Sequence, residues 1–253
     1  MKTPAIVSHV TSAMQRLISK KEVPMKSVAA DLPVLHDAAV SGRVETLWRM
    51  LADEFETAYA AMPAKAMTRT ELTFHPYIKL LGYLSLDLAN LPGDILEIGV
   101  WKGRSLALME RLSPAPAKVI GVDPCAFAGQ EAELRYFHTR LFARAHLIVT
   151  YSERAAADVL RLSQTLKLLH IDGGHETHHV WADFLLYRQF IVPGGYVVFD
   201  DYADDLHSPG VRIAVDDLRR LGMFDGFEII GPVRGYENSF LLRKSSAAAA
   251  PRG

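Results

Sequence analysis

From Asp94 onward, short apolar runs alternate with longer stretches in which apolar residues return every three or four positions. The short runs have the character of strands buried on both faces, and the longer stretches that of amphipathic helices. Their regular alternation is the signature of a parallel sheet covered by helices, so the chain is expected to build a doubly wound α/β domain. The strands are placed at Asp94–Ile98, Lys118–Val122, His146–Thr150, Lys167–Ile171 and Gly195–Phe199, with two more near Phe227–Ile230 and Ser239–Arg243. Helices are placed at Ser105–Leu112, Glu131–Ala143, Glu153–Leu162, Glu176–Ile191 and Gly210–Leu221. In this plan ligands sit outside the carboxyl ends of the strands, near the point where strand order reverses.

The chain before this region has a different rhythm. Between Val7 and about Leu91 the apolar positions are helical, as in Val44, Leu47, Trp48, Leu51, Phe55 and Tyr59, and Pro33, Pro63 and Pro76 divide the stretch into short helices. Residues 1–75 are therefore expected to form a helical extension, serving as a lid or an oligomer contact, ahead of a main domain at 76–244. The low-complexity tail, 245–253, is expected to be disordered.

Composition narrows the function classes. The 253 residues are 49% hydrophobic, enough for a full enzyme core. Lysine and arginine number 28 against 29 acids, which leaves no footprint for nucleic acid or an anionic membrane surface. The single cysteine, Cys125, excludes an internal disulfide and suits a reducing cytoplasm. No run approaches the roughly 18 apolar residues of a membrane span, and the N-terminus lacks the apolar core of an export signal. The expectation is a soluble cytoplasmic protein acting on a small molecule.

The most informative segment is LHIDGGHETHHVWADFLLYRQFIVPGGYVVFDDY, residues 169–202. It sets Asp172, Asp200 and Asp201 at the ends of two buried strands joined by one helix, so that the three carboxylates converge. Gathered carboxylates repel one another and are costly to desolvate, and a hard divalent cation such as Mg²⁺ is their natural occupant. Asp200 and Asp201 share one ion only if the strand ends between them, because consecutive strand residues point to opposite faces. His175, three residues past the first aspartate, is placed to serve as a base, or alternatively to cap the following helix.

The first strand ends in ILEIGVWKGRS, which joins Glu97 to Gly99, Trp101 and Gly103 and then opens a helix at Ser105. Neither the GxGxxG dinucleotide fingerprint nor the GxxxxGK[ST] phosphate loop occurs. An acid in front of the turn disfavours an anionic pyrophosphate and suits a cationic ligand. The second strand ends in VIGVDP, where Asp123 is placed to accept hydrogen bonds from ribose hydroxyls. Together these features describe a site for S-adenosylmethionine, with Glu97, Gly99, Trp101, Gly103, Ser105 and Asp123 as its candidate contacts.

ILEIGVWKGRS, VIGVDP, IDGGH, VPGGYVVFDDY and GVRIAVDDL together resemble the class I S-adenosylmethionine-dependent methyltransferases, and within them the macrocin O-methyltransferase type that modifies sugars of natural products. The similarity spans roughly residues 76 to 243 and is strong in the last three motifs. It implies a Rossmann-like seven-stranded sheet whose last strand is antiparallel, S-adenosylmethionine as methyl donor, Mg²⁺ held by Asp172, Asp200 and Asp201, and a homo-oligomer. His175 matches the catalytic base of the sugar enzymes, where catechol O-methyltransferases carry a lysine.

The acceptor is then a hydroxyl of a small polyhydroxylated metabolite. A catechol or phenol acceptor is the alternative, with Phe74, Tyr77 and Tyr202 as candidate ring contacts; a cephalosporin-hydroxylase-type protein and a cofactor-binding assembly protein without turnover are the others. His178 and His179 invite a zinc site with His175, but helical spacing turns His178 aside. His179 remains a substrate contact, and Arg212 a brace for the loop after Asp201.

Overall fold

The computed structural model describes residues 29–63 and 77–246. Seven strands, β1 (Asp94–Ile98), β2 (Val119–Asp123), β3 (His146–Val149), β4 (Leu166–Ile171), β5 (Ile191–Phe199), β6 (Phe227–Val233) and β7 (Tyr236–Lys244), form one sheet in the order β3-β2-β1-β4-β5-β7-β6. The first five are mutually parallel, and β7 runs antiparallel between β5 and β6. The doubly wound expectation, with its antiparallel final strand, matches this sheet. Strand order reverses between β1 and β4, which pair directly, so the crevice above their carboxyl ends is the place for a ligand.

Helices cover both faces. On one side lie α1 (Ala38–Ala60), α2 (Ile78–Asp87), α3 (Arg104–Leu112) and α4 (Gln130–Leu141), and on the other α5 (Ser152–Leu162), α6 (Thr177–Tyr187) and α7 (Pro209–Arg220). β1, β2 and β4 are almost wholly buried, as parallel strands between two helical layers must be. Two apolar clusters result. One joins Val44, Leu51 and Phe55 of α1 to α2, α3 and the sheet, and the other joins Phe184 and Tyr187 of α6 to Leu218 of α7 and Phe240 of β7.

The described part of the N-terminal extension is thus not separate from the core. α1 starts on an Asp37 cap, whose carboxylate accepts from the backbone N–H groups of Ala39 and Val40, and one face of the helix is buried against the main domain. Ion pairs fix its flank, Glu45 to Lys79 at 2.9 Å and Glu54 to Arg111 at 3.1 Å. The segment from Glu176 is shorter as a helix than its pattern predicts, ending at Tyr187 and passing through a 3₁₀ turn, Arg188–Phe190. Val192 precedes Pro193, which forces extended backbone there, and β5 accordingly begins at Ile191 rather than Gly195.

Candidate active site

A cavity of about 640 Å³ opens over the carboxyl ends of β1, β2, β4 and β5. Its first wall is the turn after β1. Gly99 has φ +85°, and a Cβ there would lie 1.8 Å from the carbonyl oxygen of Asp172, so only glycine lets this turn press against the end of β4. Trp101 sits at φ +52°, a left-handed conformation rare for so large a residue. The backbone N–H groups of Val100 and Trp101 both donate to Oδ2 of Asp123 at 2.8 Å, and this pair of bonds holds the turn in shape.

Of the six candidate contacts in this part of the sequence, Gly99, Trp101, Ser105 and Asp123 line the cavity, whereas Glu97 and Gly103 lie behind its wall. Asp123 also accepts from the Cys125 N–H at 2.7 Å and from Gln130 Nε2 at 3.0 Å, so the protein itself occupies most of its acceptor capacity. Gly103 has φ +83° and abuts Phe142, where a Cβ would meet the ring at 2.2 Å; packing is what requires glycine there. Trp101 and Phe127 meet edge to face at 5.4 Å, and both line the cavity.

Glu97 is fully buried and pairs with His170 on β4, Oε1 to Nδ1 at 2.9 Å. Burial raises the Glu97 pKa. Burial pulls His170 the other way, but the hydrogen bond and charge of Glu97 outweigh it and lift the imidazole to about 9, so the pair retains a shared proton at neutral pH.

Beside this turn the acids gather. The N–H of Asp172 donates to Ile98 O at 2.8 Å and that of Asp200 to Ile171 O at 3.0 Å, so the sheet ladder carries both residues one step past their strands and side by side. Asp201 then adopts φ +59°, which breaks the strand between the two aspartates and removes the alternation that would separate them. Two overlapping groups follow, His170–Asp172–Asp200 and Asp172–His175–Asp201, each with its ligand atoms within 4.8 Å of one another. Asp172 belongs to both. Burial, followed by the charge of Asp172, pushes the Asp200 carboxyl up to about 8, the electrostatic strain that a bound divalent cation would relieve.

β7 supplies supports that sequence reading missed. Ser239 Oγ donates to Asp200 Oδ1 at 3.2 Å, and Asn238 Nδ2 to Asp201 Oδ1 at 2.9 Å. The one signal for them is a polar Asn-Ser pair opening an otherwise apolar strand. His175 Nε2 lies 3.3 Å from Asp201 Oδ2 and 3.9 Å from Asp172 Oδ1. Asp172 and then Asp201 hold the imidazole above its usual pKa; at 3.9 Å Asp172 acts through charge more than through a hydrogen bond, and Asp201 is the closer group.

The remaining candidates separate clearly. His179 lines the cavity and stacks on His178 with ring centroids 4.1 Å apart, but neither joins a metal-ligating group among the described residues. Tyr77 lines the cavity, its hydroxyl pKa raised by burial and then by Asp172. Tyr202 is no ring contact for an acceptor: it is 3% exposed and packs 4.8 Å from Phe240 in the core. Phe74 lies outside the described residues. Arg212 does brace the loop, with Nε donating to Tyr202 O at 3.2 Å and pairing with Asp205 at 3.1 Å. Arg104, a cation lining the cavity, went unnoticed in the sequence.

Comparison with known proteins agrees with this geometry. Residues 96–202 match the family described as Methyltransferase domain. The uncharacterized protein R132 of Acanthamoeba polyphaga mimivirus is 32% identical over 195 residues, covering 68% of this chain and 88% of that protein. Among solved structures, the O-methyltransferase NovP superposes with a TM-score of 0.58 at 20% identity, over 81% of this chain and 99% of that one. CalS11, a TDP-rhamnose 3'-O-methyltransferase, does so with a TM-score of 0.53 at 18% identity, over 77% and 93%. No helix among the described residues is long and apolar enough to cross a membrane. With its acid-lined crevice at the switch point of a seven-stranded sheet, the chain belongs to the same family as R132 and is a methyltransferase.

Proposed function

We propose that this enzyme moves a methyl group from S-adenosylmethionine to a hydroxyl of a small polyhydroxylated metabolite, a sugar of a natural product being the best fit, with a divalent cation, Mg²⁺, at Asp172, Asp200 and Asp201. The observation that carries the reading is that Asp172 belongs to two groups of candidate ligands, one with His170 and Asp200 and one with His175 and Asp201, in the same cavity that the glycine turn walls. The donor set is all oxygen apart from the imidazoles, which suits a hard cation. A bound cation would neutralise the acids and lower the pKa of a coordinated hydroxyl. S-adenosylmethionine supplies an activated methyl on a positively charged sulfur.

The chain's own groups do the rest. The β1 turn walls the donor's place, and Trp101 and Phe127 offer aromatic faces beside it. His175 takes the proton of the acceptor hydroxyl, a role worth ~10² to 10⁴ in rate. The polar rim at Arg104, Glu176 and His179 favours an acceptor rich in hydroxyls over a bare aromatic ring, and the sugar substrate in the name of CalS11 points the same way.

Radiolabelled methyl transfer from S-adenosylmethionine to a panel of glycosides and catechols, with and without chelator, tests the reading. Transfer to glycosides that stops on chelation and returns with Mg²⁺ is expected. Activity that persists through thorough chelation removes the metal from the mechanism, and transfer confined to catechols removes the sugar.

A further inference from the structure

The turn between β1 and α3 is gripped twice by the first turn of α4. Asp123 accepts from the N–H groups of Val100 and Trp101 through Oδ2, and Gln130 of α4 donates from Nε2 to Oδ1 of the same carboxylate at 3.0 Å. Three residues on, Glu133 reaches Lys102, with Nζ 3.0 Å from Oε2 and the two side chains only 0% and 1% exposed. Lys102 follows Trp101 in the chain but takes no part in the cavity wall. Its side chain runs instead into the helical layer, where the ammonium also lies 5.7 Å from the ring centre of Tyr59 on α1.

A buried ion pair is a poor means of adding stability, because desolvating both charges offsets most of their attraction and apolar side chains of like volume often serve as well. What it supplies is direction. An ammonium deprived of water has to meet its carboxylate, and the backbone that carries it is fixed as a result. This turn has need of such a constraint, since Trp101 sits at φ +52°, a conformation that a residue with a side chain holds only where its surroundings impose it. Asp123 holds the Trp101 N–H, and the pair with Glu133 holds the next residue along. Phe127, edge to face with Trp101 at 5.4 Å, is tied to the same helical turn by its N–H on Gln130 Oε1 at 3.3 Å.

We infer that Lys102 and Glu133 are positioning residues for the methyl donor: they set the shape of the β1 turn and the place of Trp101 in the cavity wall, and so the affinity for the S-adenosyl group, without touching it. The inference rests on the reading above, that this cavity takes S-adenosylmethionine. Through Tyr59, α1 stands behind the same turn, so the N-terminal helix supports the donor pocket from outside it.

Calorimetric titration of the full-length protein with S-adenosylhomocysteine, paired with urea unfolding, tests the inference without an acceptor. Lys102→Met/Glu133→Leu removes both charges at nearly constant volume, and its unfolding midpoint is expected at or above that of the unaltered protein. Its Kd is nonetheless expected to rise on the order of 10- to 100-fold. The exchange Lys102→Glu/Glu133→Lys keeps the tie and the summed length of the two side chains, and is expected to bind within about threefold of the unaltered protein. Equal affinity in the apolar pair and the unaltered protein overturns the inference. So does an exchanged pair that binds no better than the apolar one, or affinity that merely follows stability across the set. Should the apolar pair not fold, Lys102→Leu/Glu133→Met, which shares the volume the other way, takes its place with the same expectations. If the unaltered protein does not bind S-adenosylhomocysteine, the functional reading itself fails and this inference with it, whereas the other adverse results strike the inference alone.

Discussion

Two histidines five residues apart, His170 and His175, each stand among carboxylates, and they serve opposite ends. His170 is 1% exposed on β4, bonded to Glu97 at 2.9 Å inside the sheet, while the His175 side chain is 42% exposed at the cavity, 3.3 Å from Asp201. The chemistry of the two pairs is alike; solvent access differs. A buried pair without water has no route to substrate, and losing one member strands the other's charge in a poor medium. A half-exposed imidazole loses little when cut away, yet it can exchange protons with whatever enters the cavity.

The comparison is most exposed to attack at its buried end. His170→Ala is expected to cost about 3–5 kcal/mol by leaving Glu97 uncompensated, read from urea unfolding midpoints; a loss below about 1 kcal/mol would dissolve the distinction. Next in size, His175→Ala is expected to lower turnover at least about 100-fold, equivalent to roughly 2.7 kcal/mol of barrier, with the unfolding midpoint nearly unchanged. A collapse of stability with turnover kept would exchange the two roles.

Asp183 is another buried acid on the cavity wall. It is 3% exposed, accepts from Ser152, and burial lifts its carboxyl to about 6 from the ordinary 3.8. The folded form holds the proton more tightly, so this contribution is fully present below the unfolded pKa and is lost as pH rises through about 6. Stability is expected to fall by up to about 3 kcal/mol across that window, and unfolding curves of Asp183→Asn should be flatter there; parallel curves would show the carboxyl to be ordinary. The smallest effect is expected at Arg212→Ala, about 1 kcal/mol from one hydrogen bond and its stacking over Tyr202 at 5.3 Å. Circular dichroism melts detect it, and an unchanged melt would show that the loop needs no brace.

Much of this was legible along the chain, for identifiable reasons. Apolar runs bounded by Pro and Gly located all seven strands to within a few residues, because burial on both faces leaves no room for polar side chains. The acids at strand ends were legible for the same reason: a charge at the end of a buried run has to face a crevice. What the pattern could not supply was pairing between distant elements. Asn238 and Ser239 show only as a polar pair in β7 and Ser208 not at all, and they matter because β7 and α7 fold back against the end of β5. Tyr202 shows the converse, an aromatic beside the acids that reads as a substrate contact and is core.

Sequence alone determined the element order, the doubly wound sheet and the set of acids available for chemistry, since periodicity and burial are properties of short segments. Tertiary structure decided how those acids were used: the left-handed turn at Asp201 brought its carboxylate round beside Asp172 and His175, the sheet buried Glu97 with His170, and the protein's own N–H groups claimed Asp123. Hydrogen bonds and desolvation depend on what lies across space, and neighbours in space are not written in the spacing of neighbours in the chain.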